Sequence, residues 1–155
     1  MLKDKSVAIT GSAKGIGRYI ARRFAQEGAK VAILDVDEQR LASTQAELED
    51  FGGKVLAVPT DVKKEDTVRD AMAKVADAFG GIDVVINNAG IVPHFAWGDK
   101  PRWPAVRDLD ESFFWHVMGV NLGGTFLCSK HAIPYMEMAD GGHIVNLYGG
   151  GGLTP

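Results

Sequence analysis

Cysteine is nearly absent. Cys128 is the only one among 155 residues, which excludes an intramolecular disulfide. Its neighbours in TFLCSK are apolar, the setting of a buried and unreactive thiol. The four histidines, His94, His116, His131 and His143, show no metal-ligand spacing with cysteine or carboxylates. Positive charge is not in excess either: 17 Lys and Arg against 20 Asp and Glu give a net charge of −3, and no basic cluster occurs, which argues against a nucleic-acid surface. No apolar run approaches the roughly 20 residues of a membrane-spanning helix. The start, MLKDKSVAIT, passes from a charged tetrad into an apolar run, so no secretory signal is visible and a cytoplasmic protein is expected.

What is present is an alternation. With 46% hydrophobic residues, the length suits one domain with a true core. SVAIT (6–10), KVAILD (30–35), KVLAVP (54–59), IDVVIN (82–87) and HIVNL (143–147) are short apolar runs that read as strands. The fifth is read as a buried strand leading into the glycine run Gly149 to Gly152. Between them lie helical patterns. From Ile16 to Gln26, Ile16, Ile20 and Phe24 recur with neighbouring alanines; Asp37 is an N-cap for a helix through Leu41 and Leu48; Lys63 to Phe79 carries Val68, Met72, Val75 and Phe79 on one face. Ile91 to Asp110 breaks the rhythm with Pro93, Pro101, Pro104, His94, Trp97 and Trp103 and reads as a loop. A long helical run follows from about Glu111 to Met138, interrupted by Gly119, Gly123-Gly124 and Pro134. Strands alternating with helices predict a doubly wound parallel sheet in a three-layer α/β/α domain.

Ligands of such a sheet bind beyond the carboxyl ends of its strands. The first strand delivers the chain into TGSAKGIG, Thr10 to Gly17. Gly11, Gly15 and Gly17 there allow a tight turn, close backbone approach to a pyrophosphate and intimate helix–strand packing, and the next helix turns its N-terminus to the phosphates. Ile20 stands where the common G-x-G-x-x-G would place its last glycine, so an isolated structural turn is the competing reading. Asp35, eighteen residues beyond Gly17, ends the second strand, where a carboxylate accepts hydrogen bonds from ribose hydroxyls and repels a 2′-phosphate. An acidic strand end is the plainer alternative. Lys14 pulls the other way, towards NADP, but a carboxylate aimed at the ribose should outweigh it.

Four stretches together carry a family resemblance: TGSAKGIG, Asp61-Val62, NNAG at Asn87 to Gly90, and VNLGGTF around Asn121. In order and position they resemble the short-chain dehydrogenase/reductases. The resemblance implies a Rossmann-type, NAD(P)-binding domain over residues 1–155 that transfers hydride between a nicotinamide and an alcohol or carbonyl carbon. It assigns Gly11, Gly15, Ile16 and Gly17 to the pyrophosphate, Asp35 to the ribose, Asp61 and Val62 to the adenine, and Asn88, Ala89 and Gly90 to the cofactor cleft. It makes Asn121 a helix-kinking catalytic residue that anchors a water in a proton relay; a satisfied core asparagine is the alternative. NAD is expected over NADP, with a small-molecule substrate and no metal. Assembly into a homo-oligomer is expected through the long helix.

One part of the pattern departs. Where the family ends its fifth strand in a serine pair, Tyr148 and Gly149 stand, and no Tyr-x-x-x-Lys occurs in the 155 residues. The further strands that the family adds after the fifth are also outside them, so the domain is read as incomplete. Two readings stay open: the N-terminal portion of a longer oxidoreductase, or a nucleotide-binding or interaction protein without redox chemistry. Either predicts cofactor binding without turnover by these residues alone. His94 is a weak candidate for a substrate contact, and the Trp97 and Trp103 loop either shapes a pocket or packs on the surface.

Overall fold

The structure is a computed structural model that describes residues 2–92 and 106–147. In chain order the elements are β1 (Ser6–Thr10), α1 (Gly15–Gln26), β2 (Lys30–Asp35), α2 (Glu38–Glu49), β3 (Val55–Pro59), α3 (Glu65–Phe79) and β4 (Val84–Asn87). A short 3-10 turn (Val106–Asp108) precedes α4 (Glu111–Met118), a π-helical stretch (Gly119–Gly124), α5 (Thr125–Glu137) and β5 (His143–Asn146). The five strands form one parallel sheet in the order β3-β2-β1-β4-β5. The chain therefore leaves β1 towards one edge and returns to its other side at β4, so the switch point, where such a sheet places its ligand crevice, lies beyond the carboxyl ends of β1 and β4.

Alternation along each strand explains the three layers. Val7, Ile9, Val31 and Ile33 point to one face, where α1 and α2 cover them with Ala21, Ala25, Leu41 and Leu48. Ala8, Ala32, Leu34 and Val85 point to the other, against Val68, Met72 and Val75 of α3 and Cys128, Ala132 and Met136 of α5. Every residue of β1 is buried, as a central strand covered on both faces must be. Each large aliphatic so enclosed contributes about 1.5–3 kcal/mol of burial.

Three expectations need correction. The buried stripe of α1 is Gly17, Ala21 and Ala25, whereas Ile16 is 68% exposed and Ile20 and Phe24 lie at the flanks. Small side chains let this helix approach β1 and the turn before it closely, so the face with the least hydrophobic bulk is the one that packs. The third helix starts at Glu65 rather than Lys63, because Lys64 takes the extended N-cap backbone. The long helical run is present from Glu111 to Glu137, its α-helix interrupted at Gly119–Gly124 by a π-turn, while Pro134 is accommodated within α5. Finally, β5, read from the sequence as buried, has His143, Val145 and Asn146 exposed; among the described residues it pairs with β4 alone.

Candidate functional site

The crevice is built by β1 and β4 and held shut at its base by polar contacts. The Thr10 hydroxyl oxygen accepts from the backbone N–H groups of Asn88 (3.0 Å) and Ala89 (2.9 Å). Asn88 answers with its side chain: Nδ2 donates to the carbonyls of Thr10 (2.8 Å) and Gly11 (2.9 Å). The end of β4 is thereby fastened to the turn that follows β1. The glycines fit this closeness. A Cβ on Gly17 would stand 2.3 Å from the Gly11 carbonyl oxygen and 2.4 Å from Asn88 Nδ2, and one on Gly11 (φ +64°) would meet Ala89 Cα at 2.8 Å. Gly15 differs. Its φ is +57° and nothing lies within 4 Å of its Cβ direction, so its backbone faces open space. Lys14, at the N-cap of α1, gives no side-chain cap to the first N–H groups of the helix. Together this is a backbone cradle of the kind that takes a phosphate.

Asp35 reaches the same turn. Its Oδ2 accepts from the Ala13 N–H (3.0 Å) and its Oδ1 from the Asp37 N–H (3.2 Å), so the carboxylate already ties the end of β2 to the turn while remaining half-buried. Asp61 sits beyond β3, where its Oδ1 accepts from the Lys63 N–H (3.1 Å). Val62 is buried and packs on the long helix: a Cβ on Gly124 would lie 2.7 Å from Val62 Cγ2. Gly90 follows Ala89 into the segment leaving β4. Asn121, in the π-turn, clamps that segment through a single backbone unit, with Oδ1 accepting from the Ile91 N–H (2.8 Å) and Nδ2 donating to the Ile91 carbonyl (3.0 Å). Both polar atoms of its amide are thus committed to positioning the wall of the crevice, and its own carbonyl accepts from the Thr125 hydroxyl (3.0 Å).

The structure therefore gathers Gly11, Gly15, Ile16, Gly17, Asn88, Ala89, Gly90 and Asn121 about one crevice. Asp35 and Asp61 stand at the adjoining ends of β2 and β3. Sequence reasoning missed Thr10 and Asn87. Asn87 Nδ2 donates to Asn146 Oδ1 (2.8 Å) and to the Ser129 hydroxyl oxygen (3.2 Å), joining β4, β5 and α5 just below the crevice, while its Oδ1 is buried without a partner among the described residues. The signal was present in both cases as a polar residue ending an apolar strand.

The groups with shifted acidity lie elsewhere. Burial pushes the Cys128 thiol up to about 12. Hydrogen bonds from Lys130 first, and from His131, hold the Glu65 carboxyl below its ordinary value at the start of α3. No group of three His, Cys, Asp or Glu suited to a metal stands together among the described residues, and no helix there is long and apolar enough to cross a membrane. His94, Trp97, Trp103, Tyr148 and Gly149 lie outside the described residues.

Comparison with known proteins agrees with this geometry. The short chain dehydrogenase family model matches residues 5–155. The chain is 36% identical to the (2S)-[(R)-hydroxy(phenyl)methyl]succinyl-CoA dehydrogenase subunit BbsD of Thauera aromatica, over 99% of this chain and 60% of that protein. It is 39% identical to cis-4-hydroxycyclohexanecarboxylate dehydrogenase of Sinomonas cyclohexanicum, over 93% and 54%. Among solved structures, NAD+-bound xylitol dehydrogenase superposes with a TM-score of 0.83 at 28% identity, over 92% of this chain and 52% of that one. The chain spans between half and three-fifths of the length of these relatives. With a parallel Rossmann-type sheet, the glycine turn at its switch point and a family match over nearly its whole length, the chain belongs to the short-chain dehydrogenase family.

Proposed function

We propose that the crevice binds NAD(H) and that the chain supplies the dinucleotide-binding part of an oxidoreductase acting on an alcohol or carbonyl compound. The observation that carries this reading is the turn from Gly11 to Gly17, whose packing excludes side chains at Gly11 and Gly17 and leaves the Gly15 backbone open. A bound nicotinamide dinucleotide would supply the acceptor or donor of hydride. The chain's own residues do the rest: backbone N–H groups at the start of α1 face the pyrophosphate, Asp35 offers its carboxylate to ribose hydroxyls, and Asn121 holds the Ile91 segment as the opposite wall. A 2′-phosphate beside Asp35 would meet a like charge, at a cost of about 1–3 kcal/mol in a partly shielded site. NAD is therefore favoured over NADP, with Lys14 as the opposing influence. The substrates named for the relatives above share a hydroxyl on carbon, which supports an alcohol or ketone substrate and nothing narrower.

Calorimetric titration with both cofactors tests the reading. Tighter binding of NAD is expected; equal or tighter binding of NADP would show that Lys14 outweighs Asp35. A second reading, a binding protein without redox turnover, is favoured by Tyr148 and Gly149 in place of the family's serine pair. Following NADH absorbance over an alcohol and ketone panel separates the two. Self-association is part of the proposal, in a cytoplasmic setting. Trp115, Leu122, Phe126 and Ile133 leave 41–62% of their surface exposed along the α4–α5 helix, at the spacing of one helix face. A sharp monomer in sedimentation at high concentration would argue against it.

A further inference from the structure

The turn that would take the pyrophosphate is held from a direction the family motifs do not reveal. Thr44 lies in the middle of α2 and is 1% exposed. A threonine hydroxyl inside a helix usually bonds a carbonyl one turn back in its own helix or faces water. This one leaves its helix and donates to the Ala13 carbonyl at 3.2 Å. The Ala13 N–H in turn donates to Asp35 Oδ2 at 3.0 Å. Both polar atoms of one backbone residue are thus held by side chains from β2 and α2. Ser12, fully buried, fastens the same stretch: its N–H donates to the Leu34 carbonyl (3.3 Å), its hydroxyl donates to the Ile9 carbonyl (2.8 Å), and its oxygen accepts from the Leu34 N–H (3.0 Å).

Resting on the dinucleotide reading above, we infer that Thr44 is a positioning residue of the pyrophosphate turn, which with Asp35 couples the ribose-facing end of β2 to the phosphate-facing backbone through Ala13. Thr44 touches no ligand; it acts through the Ala13 carbonyl, whose orientation sets that of the Lys14 and Gly15 peptide units after it. A merely space-filling threonine would be replaced by valine, its near-isostere, without consequence for phosphate recognition.

The test compares two probes, ADP-ribose and adenosine, on the wild-type chain and on Thr44→Val and Thr44→Ser, together with amide hydrogen exchange at Ala13. Thr44→Val removes the donor and leaves a buried carbonyl unpaired, so ADP-ribose should bind about tenfold more weakly. Adenosine, which carries no phosphate, should keep its affinity within about twofold. The Ala13 amide should exchange faster relative to Val7 and Ile9 in the centre of the sheet. Thr44→Ser, which keeps the hydroxyl, should restore both properties. If Thr44→Val does not fold, Thr44→Ala carries the same expectations. Unchanged ADP-ribose affinity, equal weakening of both probes, or an Ala13 amide protected as in the wild type would overturn the inference. Wild-type protein that binds neither probe would overturn the dinucleotide reading and this inference with it, a result no Thr44 variant can produce.

Discussion

Replacing Gly17 by alanine sets two physical effects against each other. The residue lies inside the first turn of α1, and in an ordinary helix interior Gly→Ala stabilises by about 1 kcal/mol. Here the added methyl would stand 2.3 Å from the Gly11 carbonyl oxygen, 2.4 Å from Asn88 Nδ2 and 2.9 Å from the Gly11 carbonyl carbon. Neither neighbour is free to retreat. The Gly11 carbonyl accepts from Asn88 at 2.9 Å, and the same Asn88 nitrogen is tied to the Thr10 carbonyl at 2.8 Å. Overpacking costs about 1–3 kcal/mol, and each hydrogen bond that Asn88 gives up adds about 1 kcal/mol. After the helix gain, a net loss of about 1–4 kcal/mol remains. For a domain of this size that lowers Tm by roughly 2–16 °C. Urea or thermal unfolding followed by circular dichroism reads it directly. Gly15→Ala is the control: its methyl meets open space, so only the left-handed backbone is penalised, by about 1–2 kcal/mol, while stability loss at Gly17 comes from contact. A Gly17→Ala chain at least as stable as the wild type would show that the turn yields to the methyl and is not the fixed cradle described above.

Three further outcomes follow from particular contacts. Asn121→Ala should free the Ile91 backbone, seen as faster exchange of the Ile91 amide, with stability lowered by about 1 kcal/mol because the site is exposed; unchanged exchange would show that the clamp holds nothing. Burial pushes the Asp83 carboxyl up, but hydrogen bonds from Lys5 and from the Ser6 N–H and hydroxyl outweigh it and leave the group below its ordinary 3.8. A depressed carboxylate contributes stability above its unfolded pKa and loses it as pH falls through the folded value, so Asp83→Asn should flatten the acid limb of the stability curve below about pH 4, and an unaltered limb in acid unfolding would refute this. Cys128, buried and pushed up to about 12, should resist thiol reagents at pH 8 until the protein unfolds; rapid labelling of the native chain would contradict its placement in the core.

Much of this was legible in the sequence, for reasons that differ by element. The face of α3 could be read because Val68, Met72, Val75 and Phe79 are large and recur at helical spacing, and all four are buried. The face of α1 could not, because glycine and alanine carry little hydrophobic signal although they permit the closest approach. The glycines of the turn were visible as residues, and their individual reasons appear only with Asn88 and Ala89 beside them. Thr10, Ser12 and Thr44 were silent for a related cause: their partners lie 22 to 79 residues away or across a helix, and a hydroxyl has no pattern of its own. Asn121 was found through family likeness, whereas its two bonds to Ile91 are a tertiary fact. The fifth strand reads as apolar and buried in sequence, yet among the described residues it pairs on one side and is exposed.

The central claim is that the crevice between β1 and β4 is a dinucleotide site read through its backbone turn. Titrating NAD into isotopically labelled protein and following the backbone amide resonances tests it most directly. The account predicts saturable binding with the largest shifts at Gly11, Gly15, Ile16 and Gly17, smaller ones at Asp35 and Asn88 to Gly90, and little change at the opposite end of the sheet around Gly28 and Gly53. Absence of saturable binding, or shifts centred away from the Gly11 to Gly17 turn, would contradict it.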